Sequence, residues 1–410
     1  AFTDIYTDTP VPTPVPLIDL PPETINIALL GSDARPNTGG WRTDVIIIVS
    51  INPAVPSVAM FSIPRDTWVY IPNWQYTRVN LADEHGEFVQ FPGGGPGLLE
   101  QTLQYNFGIP FQYYARVDFE GYKKLIDSVG GVDVVADCPL FDIFPDNPPG
   151  VTDIGFSDIT GTIDIPTPGI YHLDGKHALW YSRSRKTTSD FDRSRRQQHV
   201  LNALWDKIRE QGLINKLPDI WSDVVSSVQT ALSLNDVIYL AGLGQTIDRS
   251  RIRSSFLDGA YAHRFTSVEG ASVFSYSYDE ISQTVQTAFW PPLIGRAVQP
   301  PATIEVFNGT SNPDWDAIAA DRLSSAGYHI VSYGPADRAD YPATAITDLR
   351  ATSKGSRLAE LSRLFNTRNA AYQSDPNTPA EYRIILGADF QPCQRARIGT
   401  FPTATPTPPP

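Results

Sequence analysis

Apolar residues along this chain recur with two different periods, and the switch between them outlines the elements. Three short apolar runs open it, at Ile25–Leu30, Val45–Ile51 and Val58–Ile63. Each is rich in β-branched residues and bounded by Gly, Pro or Asn, the pattern of buried strands rather than of helices. Charged residues stand at the ends of these runs and not inside them: Asp33, Arg35, Arg42, Asp44, Arg65 and Asp66. A sheet built from the runs gathers carboxylates and guanidiniums at one rim, which suits a metal ion and a phosphate group.

An irregular stretch, Tyr70–Pro96, carries Arg78, Asn80, His85 and the run GGGPG. The spacing of Leu98, Leu99, Leu103 and Phe107 predicts a helix over Gly97–Phe107, stopped by Gly108. A strand over Tyr113–Val117, a helix over Phe119–Val129 and a strand over Val132–Ala136 follow. This alternation predicts an α/β layer architecture. Asp137–Gly169, rich in Pro, Asp and Gly, reads as a long ordered loop. Asp174 is the expected cap of a helix through LDGKHALWYSRSR. A longer helix is expected from near Asp192 to Gln211, with Val200, Leu201, Leu204 and Ile208 on one face. Helices over Leu217–Ala231 and Leu234–Gly242, a strand over Ile252–Tyr261 and a helix over Tyr278–Phe289 complete the larger unit. Trp290–Thr303 holds four prolines and reads as a linker. A small α/β unit then starts afresh, with strands at Ile304–Phe307, Tyr328–Ser332 and Tyr382–Leu386 and helices at Trp315–Ser325 and Lys354–Phe365.

Composition narrows the function. At 410 residues the chain is too long for one ordinary core. A formal charge of −13 argues against nucleic acid as a partner and makes any basic cluster stand out. The two cysteines, Cys138 and Cys393, lack zinc-like spacing. They are either a disulfide of an oxidising compartment or two separate buried thiols. No apolar run approaches the roughly 20 residues that span a bilayer. The Pro/Thr-rich ends, TDTPVPTPVPLIDLPPE and FPTATPTPPP, are extended and form no core. The chain starts at Ala1 without Met, as a trimmed or mature form would.

Two constellations carry chemistry. The densest charge cluster, SRSRKTTSDFDRSRRQQ, includes Arg183, Arg185, Arg193, Arg196 and Gln197. Arg193 and Gln197 are four apart and share a helix face, with Arg196 one step round. Guanidinium forks grip phosphate oxygens in a bidentate way, and a helix start capped by Asp190 or Asp192 itself favours anions. A salt-bridged surface helix would show the same pattern. The second constellation is Asp33 and Asp44, at neighbouring strand ends. Mg2+ is typically held by one or two carboxylates, with waters and substrate phosphates completing the shell. Two solvated loop aspartates would look alike in sequence. Arg42, Arg65 and Arg78 add phosphate ligands if the loops converge. There is no Walker loop and no nucleophile elbow. His85, His172, His177 and His199 are scattered and read as packed or solvated.

The run NIALLGSDAR…WRTDVIIIVSINP…VAMFSIPRDTWV, then RVN, GPGLLEQTLQYNFGI, YYARVDFEGYKKLIDSVGGVDV, LDGKHALWYSRSR and DFDRSRRQQHVL, resembles the LytR–CpsA–Psr (LCP) family in order and content. TIEVFNGTSN…AADRLSSAGYHIVSYG…IILGADF resembles the LytR C-terminal domain. The implied division is a Pro/Thr-rich linker at 1–23, an LCP catalytic domain at 24–292, a linker at 293–301, a LytR C-terminal-like domain at 302–391 and a Pro/Thr-rich tail at 392–410. The implied fold is an α/β/α sandwich with a central mixed sheet and an apolar tunnel, plus a small C-terminal α/β domain.

The resemblance also implies an activity. The family transfers a glycopolymer, such as a wall teichoic acid, from a polyprenyl-pyrophosphate carrier to peptidoglycan as a phosphodiester. It works at the outer face of the bacterial membrane or in the wall, commonly from an N-terminal membrane anchor. By motif match, Asp33 and Asp44 would hold Mg2+ and one of them would take the acceptor proton. Arg42 and Arg65 belong to the catalytic set, and Arg78, Arg183, Arg185, Arg193, Arg196 and Gln197 to the pyrophosphate site. Arg78 stands at a usual lysine, and DFDR replaces the frequent DFGR, setting Asp192 beside the arginines. The alternatives are pyrophosphate hydrolysis at the same site and non-catalytic lipid or glycan binding.

Overall fold

The computed structural model describes residues 11–34, 40–144, 161–185, 188–216, 221, 225, 227–257, 259–267, 269–289, 301–350 and 353–394. The larger unit opens with β1 (Ile25–Ser32), β2 (Thr43–Asn52), β3 (Ser57–Ser62) and the ribbon β4 (Trp68–Tyr70) and β5 (Tyr76–Arg78). Then come α1 (Ala82–Phe88), α2 (Gly94–Phe107), β6 (Tyr113–Val117), α3 (Phe119–Ser128), β7 (Val132–Ala136), β8 (Leu140–Phe144), β9 (Gly161–Ile165) and β10 (Gly169–Leu173). It continues through α4 (Gly175–Arg183), α5 (Asp190–Glu210), β11 (Val228–Thr230), α6 (Leu234–Gln245), β12 (Ile252–Phe256), β13 (His263–Thr266), β14 (Ser272–Ser275) and α7 (Tyr278–Phe289). The tail unit holds β15 (Thr303–Asn308), α8 (Trp315–Ser325), β16 (His329–Pro335), β17 (Ala345–Asp348), α9 (Leu358–Leu364), β18 (Ala370–Tyr372) and β19 (Tyr382–Leu386).

Successive buried residues Ile46, Ile47 and Ile48 make β2 a strand covered on both faces. It lies inside a mixed sheet of order β11-β6-β1-β2-β3-β12. β1 runs parallel to β6 and antiparallel to β2. One face, through Leu30, Ile48 and Phe61, packs on Leu99 and Leu103 of α2 and Val285 of α7. The other, through Leu29, Ile47 and Met60, packs on Leu201 and Trp205 of α5 and Leu243 of α6. The fold is therefore an α/β/α sandwich with a central mixed sheet. The tail is a separate α/β core on a sheet of order β16-β15-β19-β17-β18.

Several expectations need correction. The span 137–169 is not all loop: β8 and β9 form an antiparallel hairpin with Leu140, Ile163 and Ile165 buried. Its turn chemistry hid a two-residue alternation; 145–160 lie outside the described residues. At the end of the expected helix Leu217–Ala231, β-branched Val228 and Thr230 instead pair with β6 as an edge strand; residues 217–220, 222–224 and 226 are not described. The strand from Ile252 stops at Phe256 and not at Tyr261. The stretch 70–96 is ordered, holding β5, α1 and the start of α2. That helix begins at Gly94, behind Gly93 at φ +83. A Cβ on Gly95 would meet Asp83 O at 2.1 Å, so the glycine run lets α2 cross α1 closely. The long helix is capped by Ser189, whose side chain accepts from Asp192 N while Asp192 reciprocates in a capping box.

Cys138 and Cys393 form a disulfide across 255 residues and join the two units. The units also meet through Arg249 Nη2 on Asp321 Oδ1 at 3.2 Å and Ile170 N donating to Asp314 Oδ2 at 3.1 Å.

Asp83 is fully buried, with Thr43 Oγ1 donating to it at 2.9 Å and Arg116 Nη1 at 2.8 Å. Burial outweighs both donors and pushes its carboxyl up to about 6. The folded state thus holds this proton more tightly than the unfolded chain, whose carboxyl titrates near ~3.9. Through this group, stability falls as pH rises from about 4 to about 6, by up to about 1.4 kcal/mol per pH unit. Urea midpoints at pH 4, 5, 6 and 7 should show the wild type losing ground to Asp83→Asn across that window; a constant gap would exclude the linkage. Cys393→Ser removes a constraint on the unfolded chain, with an expected loss of about 2–5 kcal/mol in guanidinium titration.

Candidate active site

A cavity of about 270 Å³ lies between the sheet and the helices α3, α4 and α5. Leu29, Ile47 and Val117 of the sheet, Tyr122 and Ile126 of α3 and Leu179 of α4 line its body. One face of α5 contributes Arg193, Gln197, Val200, Leu201 and Leu204, polar in the first turns and apolar after them. The cavity therefore has an apolar body and a charged mouth, both written on one helix face.

At the mouth, Arg65 Nη1 donates to Asp44 Oδ2 at 2.8 Å, and its Nε lies 3.4 Å from Asp66 Oδ2. Arg78 reaches the other oxygen of Asp66 at 3.6 Å. Arg185 stands 2.9 Å from Asp190 Oδ1 and 3.9 Å from Asp66 Oδ2. Arg193 is 3.5 Å from Asp190 Oδ1. Burial is the largest influence on Arg65 and works against its charge, but Asp44 and Asp66 outweigh it and raise its pKa. For Arg193 burial wins, pushing the pKa down to about 10, which leaves it charged at neutral pH. Arg183 also lines the cavity, its guanidinium 4.5 Å from the centre of the Phe119 ring.

A β-bulge aims Asp44. Gly31 pairs with Val45 and Ser32 with Thr43, leaving Asp44 as the extra residue. Strict alternation would send Asp44 to the face of Ile46; the bulge turns it to the cavity beside Val45. Thr43 turns instead to Asp83. A Cβ on Gly31 would meet Val45 Cβ at 2.9 Å, so this bulge needs glycine opposite it.

The remaining sequence candidates sit differently. Asp33 accepts from Arg42 N at 2.5 Å and pairs with Arg42 Nε at 3.7 Å, tying off the β1–β2 loop outside the cavity lining. Arg35 falls outside the described residues. The guanidinium of Arg196 is buried and donates to the carbonyls of Tyr181 and Ser184, so it shapes the exit of α4 without lining the cavity. Asp192 bonds Ser189 and lies 3.4 Å from Arg195, so the DFDR carboxylate is committed to the helix cap and Arg195. None of His85, His172, His177 and His199 lines the cavity.

Sequence reasoning placed Asp66 only among the strand-end charges of the rim, gave no role to Asp142, and took Asp190 only as a cap. All three are carboxylates spaced among the arginines. Asp142 of β8 accepts from Ser184 Oγ at 2.8 Å and Arg185 N at 2.9 Å, fixing the segment that carries Arg183 and Arg185. The excess of arginine in that segment was the available signal, since guanidiniums brought together require interleaved carboxylates.

Among the described residues no three His, Cys, Asp or Glu side chains converge as a metal centre. One atom nonetheless fits a cation: Asp44 Oδ1 is buried and has no hydrogen-bond partner. A single carboxylate with phosphate oxygens is a suitable donor set for Mg2+. Arg193 Nε is likewise buried and unpartnered, and fits an anion.

Residues 8–289 match the LytR_cpsA_psr family, and residues 302–390 match the family described as LytR cell envelope-related transcriptional attenuator. A relative from Oceanobacillus iheyensis, the polyisoprenyl-teichoic acid–peptidoglycan teichoic acid transferase TagU, is 34% identical over 215 residues, 52% of this chain and 60% of that protein. TagV of Bacillus subtilis, a transferase named in the same terms, is 29% identical over 251 residues, 60% of this chain and 59% of that protein. The matches thus span about three fifths of these relatives' lengths. The crystal structure of B. subtilis TagV superposes with a TM-score of 0.52 at 25% identity, over 66% of this chain and 98% of that one. The chain belongs to the LytR–CpsA–Psr family and carries a LytR C-terminal domain behind its larger α/β unit.

Proposed function

We propose that this protein is a phosphotransferase that moves a glycopolymer from a polyprenyl-pyrophosphate carrier to peptidoglycan, forming a phosphodiester. The observation that carries this reading is the apolar cavity of about 270 Å³ whose mouth is ringed by Arg65, Arg183, Arg185 and Arg193. An apolar chain with an anionic head fits both halves of it. Each methylene buried in the cavity contributes about 0.8 kcal/mol. The relatives named as polyisoprenyl-teichoic acid transferases support the same substrate class.

The prenyl chain occupies the apolar body and the pyrophosphate lies at the arginines. Arg65, Arg183, Arg185 and Arg193, with Gln197 and with Arg78 behind Asp66, neutralise and orient it. A sugar hydroxyl of the acceptor attacks the phosphorus nearer the glycopolymer. A new P–O bond forms as the bond to the prenyl phosphate breaks, and prenyl phosphate leaves. The hydroxyl proton passes to a carboxylate of the rim, Asp33 or Asp44. Asp44 would hold Mg2+, which when bound supplies positive charge against the phosphate oxygens. Positioning and electrostatic stabilisation are the main contributions to phosphoryl transfer. The working location is the outer face of the membrane or the wall, as for the family; no helix among the described residues is long and apolar enough to cross a membrane.

A transfer assay with labelled carrier-linked glycan, isolated peptidoglycan and Mg2+ tests the reading. Wild type should move label to peptidoglycan, and Asp44→Ala and Arg183→Ala should each lower the rate by about 100-fold or more. Release of free glycan phosphate without incorporation would make the protein a pyrophosphatase. Saturable carrier binding without product would make it a binder.

A further inference from the structure

The acceptor needs a surface beside the cavity, and the β4–β5 ribbon offers one. Trp68 pairs with Arg78, Val69 with Thr77 and Tyr70 with Tyr76. Val69 and Thr77 are buried toward the core, so Trp68, Tyr70, Tyr76 and Arg78 share the outward, half-exposed face. Tyr70 and Tyr76 are tilted rings with centroids 5.4 Å apart. At the turn joining the strands, exposed Trp74 lies flat on His85, with centroids 3.7 Å apart and planes 11° apart. Phe88, one helical turn beyond His85, is 84% exposed.

A chain of ion pairs links this ribbon to the candidate active site. Arg78, at its inner end, reaches Asp66 at 3.6 Å; Asp66 reaches Arg65, and Arg65 reaches Asp44. Tyr76 stands two residues outward from Arg78, about 7 Å along the strand. Flat aromatic rings with polar edges match the two chemistries of a pyranose, whose C–H faces are apolar and whose rim is hydroxylated. The prenyl chain has its own fully apolar place in the cavity and does not need this face. Burial lowers the pKa of His85 against the opposing pull of Glu84.

We propose that the outward face of the β4–β5 ribbon, through Tyr70, Trp74 and Tyr76, is the binding subsite for the acceptor glycan, an oligosaccharide of amino sugars, and leads its hydroxyl to the phosphates at Arg78. The assignment of an acceptor rests on the transfer reaction proposed above; the binding itself is tested without donor or turnover.

The experiment is a calorimetric titration of the full chain with chitotetraose, a soluble oligomer of N-acetylglucosamine. Wild type should bind saturably. Trp74→Ala and Tyr76→Ala should each weaken binding by about 10-fold, which corresponds to ~1.4 kcal/mol. Trp74→Phe, which keeps a ring at the turn, should stay near wild type, and thermal melts of each variant check the fold. No saturable binding by wild type, or equal affinity in Trp74→Ala and Tyr76→Ala, overturns the subsite. Oligosaccharide binding that depends on Trp74 in a protein that transfers nothing would defeat the transferase reading and leave the subsite standing.

Discussion

Mutual repulsion among arginines is the constraint on which this site depends. Five guanidiniums, of Arg65, Arg78, Arg185, Arg193 and Arg183, are brought to one rim by three different parts of the chain. Without counter-charge such a rim would splay or shed its charge. Asp44, Asp66 and Asp190 are interleaved between them, and two of these carboxylates each serve more than one arginine. The response of Arg65 shows the balance directly: two carboxylates overcome its burial. Arg193, deeper and nearer only to Asp190, is pulled the other way. The arginines are thereby held in place by the carboxylates, so under the proposed function little side-chain ordering remains to oppose phosphate binding.

Much of this was legible in the sequence, because the sheet announces itself. The apolar runs at Ile25–Leu30 and Val45–Ile51 could only be buried strands, and their charged ends could only fall at a rim. The face of α5 was legible for the same reason, since Val200, Leu201 and Leu204 repeat with helical period. The missed features depend on register and tertiary neighbours. Nothing in TDVIII states that Asp44 is the bulged residue; that follows from the pairing of Gly31 with Val45. The hairpin of Leu140 and Ile163 was hidden by the turn residues between its strands. Asp83 lies in RVNLADEHG, part of the stretch that reads as irregular, and only the crossing of α2 at Gly95 buries it against Thr43 and Arg116. Function-bearing residues named by motif and residues assembled by packing are thus different sets, and Asp142 belongs wholly to the second.

The tail unit reaches this site through a disulfide and ion pairs, and through Val135 of β7, which packs against the tail core. Cys138, held to Cys393, precedes β8 by two residues, and β8 carries the Asp142 that fixes Arg185 N. Arg195, on the other side of α5 from the cavity, reaches Asp137 and Asp192, the residue that closes the helix cap. The start of α5 is therefore clamped from behind by the region where the tail is fastened. Rigidity there matters more than elsewhere, because the first turns of α5 present Arg193 and Gln197.

The order of residues on α5 also limits what the cavity can hold. Arg193 and Gln197 come first on the lining face, and Val200, Leu201 and Leu204 follow. A helix advances about 1.5 Å per residue, so the polar and apolar parts of the lining are consecutive and about equal in length. A free phosphate would satisfy the first turns and leave the apolar walls against water. A neutral lipid would fill the walls and leave buried Arg193 Nε without a partner. Only an amphiphile with its anion directly joined to an apolar chain satisfies both at once. Under the proposed function, the buried, unpartnered oxygen of Asp44 is where a cation would add positive charge against the departing phosphate.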